Sequence, residues 1–204
     1  MNDSTLLTQF QIQTLLVQER YYRDTSQWEK LRQCWHPDPT QTNVKISWYN
    51  GDIDGFVSGS QAMVKGGTKA LHTVTPVEIQ VVGEKAFTES VGTIQIRLRL
   101  DDKEYDCVSH SRFISRLQKT DHGWKLISLV VIYDQDSLVP TMPAASSLDL
   151  AFDFKGVRDS YKCLSWVMSQ KGFQIDQTLP GTDDPDSVTK LMGEGHAWLS
   201  RSDI

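Results

Sequence analysis

The sequence predicts an α+β fold, with N-terminal helices packed on one face of a curved antiparallel sheet. Three observations predict it. Apolar residues recur at helical spacing between Ser4 and Trp35. From His72 onward the chain turns into β-branched segments of alternating polarity, separated by short turn sequences. After Pro140 the texture becomes helical again, which marks an extension.

The first helix is expected from about Ser4 to Tyr22, with Ile12, Leu15, Leu16 and Tyr22 on its apolar face. A second begins after Ser26, where Ser26 and Glu29 form a capping-box pattern ahead of Trp28, Leu31 and Trp35. "HPDPTQT" breaks the chain. "NVKISWYNGDIDG" reads as a short strand followed by a Gly/Asp turn region, and "SGSQAMVKGG" holds one short helix. "TVTPVEIQVV", "AFTESVGTIQIRLRL", "EYDCVSHSRFISRLQ" and "GWKLISLVVIYD" are the long strands, joined by hairpin turns at "GEK", "DDK" and "KTDHG". "YDQDSLVPTMPAASS" reads as the exit, with Pro140, Pro143 and the Ala/Ser run as a linker. In the tail, "GVRDSYKCLSWVMSQKG" is a helix closed by Gly172, and Asp184 caps another that starts at Pro185. The division is thus a domain over 1–140 and, over 141–204, a linker with a helical extension that serves as a lid or a dimer contact.

The chain has 204 residues, 39% hydrophobic and 23% charged, with a net charge of −5. A negative balance with interspersed Arg and Lys argues against nucleic acid as a partner. No run approaches the roughly 20 apolar residues of a membrane span, and the N-terminus lacks a signal-peptide pattern. Cys34, Cys107 and Cys163 are too few and scattered for a disulfide framework. Together these point to reduced thiols in a cytoplasmic setting. No histidine pair has metal-ligand spacing, no CxxC exists, and the glycine-rich "VSGSQAMVKGG" matches no phosphate loop, so neither metal nor nucleotide cofactor is expected.

Three residues stand out for chemistry. Glu19 falls in the middle of the first helix's apolar stripe. A carboxylate there either lines a polar cavity or pairs with Arg23 at i+4. Asp24 closes that helix, as a local turn aspartate or as part of a site. His72 stands where the chain enters a strand, as a structural histidine or as a base. A helix laid across a curved sheet brings its C-terminal end to the open rim. An Asp24–His72 pair at that rim is a usable general base, because the carboxylate fixes the imidazole tautomer and raises its proton affinity.

The order helix, "D-x-x-x-W-x-x-L", strand with an aromatic, histidine at a strand start, then a meander ending "GWKLISLVVIYDQDSLVP" resembles the SnoaL-like group of the nuclear-transport-factor-two-like (cystatin-like) fold. Scytalone dehydratase is the nearest member in character, with bile-acid dehydratases and polyketide cyclases further off. The resemblance covers roughly residues 5–140 and implies a cone-shaped sheet around one apolar pocket. It places the catalytic aspartate on Asp24 and the catalytic histidine on His72. The pocket aromatic falls on Trp48, or on Tyr49 in the neighbouring register, and a pocket serine on Ser111. Alternation then turns Ser109 and Phe113 into the same cavity, and His110 and Arg112 away from it. This chain departs from the pattern in two places. "GTIQIRL" carries no second histidine, and Glu19 replaces the helix tyrosine, with Tyr21 and Tyr22 beside the aspartate instead.

The expected function is cofactor-free lyase, cyclase or isomerase chemistry on a small apolar oxygenated metabolite of polyketide or terpenoid type, in secondary metabolism. His72 takes a proton beside a carbonyl, Asp24 orients it, and Glu19, Tyr21, Tyr22 or Ser111 holds the oxygen. The alternatives are a dimeric, non-catalytic ligand- or protein-binding module and a helper subunit of an oxygenase. Homodimerisation through the outer sheet face is what the resemblance implies.

Overall fold

The computed structural model describes residues 3–100, 103–142 and 154–201. Helix α1 (Asp3–Asp24) and α2 (Trp28–Gln33) precede a small hairpin, β1 (Asn43–Ile46) and β2 (Tyr49–Gly51). Helix α3 (Ile53–Lys65) follows, then the long strands β3 (Ala70–Val82), β4 (Lys85–Leu100), β5 (Lys103–Thr120) and β6 (Gly123–Pro140). The tail adds α4 (Lys162–Ser169) and α5 (Pro185–Ser200). Pro143 and the Ala/Ser run of the expected linker lie outside the described residues, as do Asp101 and Asp102 of the "DDK" turn.

The predicted α+β class is what the chain adopts: an open, curved six-stranded sheet in the order β2-β1-β6-β5-β4-β3. The meander β3 to β6 is antiparallel, but β1 joins β6 in parallel, with Val44 opposite Leu129. Pro76 is accommodated because β3 is an edge strand, and the register slips there. The buried stripe of α1, with Ile12 and Leu16, packs toward the sheet.

Several local expectations are corrected. Ser26 does not cap α2. It takes φ 59 and ends α1, with Ser26 N bonded to Arg23 O and Gln27 N to Tyr22 O. That is the left-handed helix stop, and it overrides the capping-box pattern. The "GDIDG" stretch is not only a turn: Asp52 accepts from Gly55 N at 2.8 Å and starts α3 early. Trp48 sits in the hairpin turn between β1 and β2 and not on a strand. The exit sequence "YDQDSLVP" continues β6 to Pro140.

The two tail helices take opposite sides of the sheet. Leu164 and Met168 of α4 are buried in the main core, whereas α5 packs Leu199 on Phe87, Ile114 and Ile132. Ile114 and Ile132 alternate with Phe113 and Val131, so α5 covers the face turned away from the core. Asp184 caps α5 at Pro185 as predicted. The helix expected over 156–172 is shorter, confined to α4, with Gly172 at φ 81 beyond it.

Candidate active site

The site forms where α1 ends against the start of β3. The left-handed stop at Ser26 fixes the last turn of α1, and that turn delivers Asp24 to the edge strand. Asp24 Oδ2 accepts from the backbone N–H of His72 at 2.6 Å, and Asp24 Oδ1 lies 2.7 Å from His72 Nδ1. Both side chains are under one-tenth exposed. With Nδ1–H donating to the carboxylate, the lone pair is on Nε2, which has no hydrogen-bond partner among the described residues.

Burial pushes His72 below its ordinary value, against the upward pull of Asp24. Burial also works against the charge on Asp24, but the bonds from His72 more than offset it and hold its carboxyl below the usual range. The pair is therefore a neutral imidazole on an anionic carboxylate at pH 7, the form in which Nε2 accepts a proton. The Phe113 ring lies edge-on to the imidazole at 6.2 Å.

A small cavity opens beside His72, with room for water-sized centres over about 40 Å³. Of the residues the sequence nominates, His72, Trp48 and Phe113 line it. Trp48 stacks on Phe56, with ring centroids 5.7 Å apart. Asp24 reaches the cavity through His72.

The other nominees lie elsewhere. Glu19 is 3% exposed, as the apolar stripe implied, but it pairs with Arg20 and accepts from Trp35 Nε1 at 3.0 Å; Arg23 is not its partner. Tyr21 is 56% exposed, because it falls off the inward stripe. Tyr22 packs half-buried beneath Lys30. Tyr49 donates to Asp52 O at 2.8 Å. Ser109 and Ser111 are buried and bonded to each other at 3.2 Å, on the same strand face as Phe113 but outside the cavity lining. His110 is exposed, as alternation required.

Sequence reasoning missed four polar residues that do line the cavity: Arg20, Arg23, Ser47 and Tyr133. Arg20 and Arg23 continue the Leu16–Glu19 stripe at helical spacing. Tyr133 continues the inward alternation of Leu129 and Val131 on β6. Its hydroxyl accepts from Ser47 N at 2.9 Å, and burial pushes it up to about 12. The Ser47 side chain is a second hydrogen-bond partner of that hydroxyl. The tail grips this residue from outside: Tyr133 N donates to Pro180 O, and Tyr133 O accepts from Thr182 N, each at 3.0 Å. No group of three His, Cys, Asp or Glu among the described residues could hold a metal ion, and none of the described helices is long and apolar enough to cross a membrane.

The family model described as a SnoaL-like domain matches residues 4–130. The chain belongs to the SnoaL-like family. Pea pathogenicity protein 2 of Fusarium vanettenii is 25% identical over 184 residues, covering 88% of this chain and 77% of that protein. Among solved structures, a candidate scytalone dehydratase of Novosphingobium aromaticivorans superposes with TM-score 0.53 at 18% identity, covering 75% of this chain and 94% of its own. Hexachlorocyclohexane dehydrochlorinase LinA type 2 superposes with TM-score 0.51 at 15% identity, covering 75% and 97%. These two likenesses are of fold. The SnoaL-like match ends before Val131, Tyr133, Leu164 and Met168, so part of this pocket's wall comes from beyond the matched span.

Proposed function

We propose that this SnoaL-like protein is an acid–base catalyst of the lyase, cyclase or isomerase type, acting on a small, mostly apolar, oxygenated metabolite of polyketide or terpenoid kind. The observation that carries the reading is the Asp24–His72 pair, buried beside a cavity and with Nε2 unengaged. In the reaction, Nε2 removes a proton from carbon next to a carbonyl. The imidazolium that forms is stabilised by Asp24 through Nδ1–H. Tyr133 donates its O–H to the oxygen that becomes an enolate or departs as hydroxide. A preorganised donor of this kind contributes a few kcal/mol to lowering the barrier. Tyr133 takes the part expected of Glu19, Tyr21, Tyr22 or Ser111, because it lines the cavity and those four do not.

The half-reaction tests the reading without knowledge of the final product. A panel of one- and two-ring ketones is incubated in D₂O, and deuterium entry beside the carbonyl is followed by NMR. The protein should accelerate exchange on at least one member, and His72→Ala should lose at least about 100-fold of that rate. A His72→Ala variant with full exchange activity removes the mechanism. A parent protein that binds panel members without exchanging them favours the binding-module alternative, in which Asp24 and His72 matter for melting temperature alone.

A further inference from the structure

Arg20 and Arg23 both face the cavity, and no carboxylate is among the residues that line it. The nearby carboxylates are already committed. Glu19 gives both oxygens to Arg20 and one of them also to Trp35. Asp24 gives both oxygens to His72. Arg20 is thereby neutralised, and its guanidinium lies 5.5 Å over the Phe56 ring.

Arg23 is paired less closely, with Asp24 at 3.4 Å as its ion-pair partner. Its contacts are Asp24 Oδ1 at 3.4 Å, Ala70 O at 3.3 Å and the Met63 thioether at 3.7 Å. All are longer than the roughly 2.7–2.9 Å of a charge-assisted N–H···O bond, and together they use only part of the five N–H donors a guanidinium offers. Yet Arg23 is 3% exposed. Burial, with repulsion from Arg20, works against its charge. A guanidinium kept out of water is costly unless its donors are met, and with its one ion-pair partner at 3.4 Å most of the Arg23 donors remain open. Apart from Ser47, His72 and Tyr133, the wall is largely apolar, with Ile94, Ile96, Phe113, Val131, Leu164 and Met168.

We propose that the cavity receives a small apolar acid, with its carboxylate seated on Arg23 and its hydrocarbon body against the sheet and α4. The proposal rests on the cavity being the ligand site, as the functional reading has it, but not on proton transfer at His72. It narrows the substrate class from oxygenated and apolar to anionic at one end.

Calorimetry on the full chain at pH 7 tests it with two probes of equal shape, 2-naphthoate and 2-naphthamide. The carboxylate should bind at least about tenfold more tightly than the amide, in line with a hydrogen bond to a charged group. Arg23→Gln should abolish that preference, and Arg23→Lys should retain part of it. The comparison of the two probes on the parent protein stands even if a variant folds poorly. Equal affinity, no binding of either probe at millimolar concentration, or a preference that survives Arg23→Gln overturns the proposal. His72→Gln separates the two readings. It should abolish deuterium exchange while leaving the carboxylate preference intact, so a failure of base catalysis and a failure of the anion seat appear in different measurements.

Discussion

Asp24→Asn bears most directly on the site, because Asp24 meets His72 twice, at 2.7 and 2.6 Å. The amide keeps one oxygen but removes the charge from both contacts. A hydrogen bond to a charged group contributes about 1.5–3 kcal/mol. If one such bond is lost in the transition state, at about 1.36 kcal/mol per tenfold, the rate falls about 10- to 150-fold in kcat/KM. The substitution also has a signature that needs no substrate. Burial already holds the imidazole low, and the Asp24 carboxylate is the main influence raising it. Without the carboxylate, His72 should titrate at still lower pH. The assay is an NMR titration of the imidazole ring protons, assigned by comparison with His72→Gln. In the parent, the midpoint should lie below the ordinary value of about 6.5. In Asp24→Asn it should move further down, and the acid limb of the rate profile with it. A His72 midpoint at or above the ordinary value, or one that Asp24→Asn leaves in place, would refute the reasoning.

Tyr133→Phe removes the hydroxyl that accepts from Ser47 N. It should cost about 1–3 kcal/mol in urea unfolding, the price of an unsatisfied buried donor, and lower the exchange rate by about 100-fold. Stability should decline as pH falls below 6.5, because an unfolded histidine takes up the proton that buried His72 refuses, and His72→Gln should flatten that limb. Asp24 is depressed, so its contribution is fully present above 3.8 and disappears as pH falls through its folded value; urea midpoints against pH read both. Gly195→Ala would put a Cβ 2.2 Å from the Phe87 ring. Overpacking of about 1–3 kcal/mol should lower the melting temperature by about 2–4 °C per kcal/mol, with exchange unchanged at low temperature.

The fold was legible where period decides. Alternation in the strands and the stripe through Ile12 and Leu16 are properties of the local sequence, and they gave the class and the helix end at Asp24. The Asp24–His72 contact was legible for a related reason: a helix terminus and a strand entrance are fixed points of an α+β unit. Arg20 was passed over, and Arg23 was weighed only as a partner for Glu19, although both lie on the same stripe as Leu16 and Glu19. A buried guanidinium is a tertiary outcome, set by which carboxylates the fold brings near. Tyr133 was within the expected strand "GWKLISLVVIYD", at its overlap with the exit sequence, but its inward side chain was not singled out. The backbone there is held by Pro180 and Thr182, partners distant in the chain. Ser26 carried a capping signal that the left-handed stop overrode. The side of the sheet on which α4 and α5 dock depends on contacts that neither helix encodes alone.

The seating of α5 also makes synthesis a matter of timing. Phe87, Ile114 and Ile132 emerge from the ribosome well before Leu199 does. Through that interval the strands can already pair, while their outward residues stand wet and adhesive. A sixteen-residue helix made late ends the exposure. Chains interrupted ahead of it would carry a finished cavity and an unfinished exterior, and such chains would leave solution by clumping well before they lost their shape.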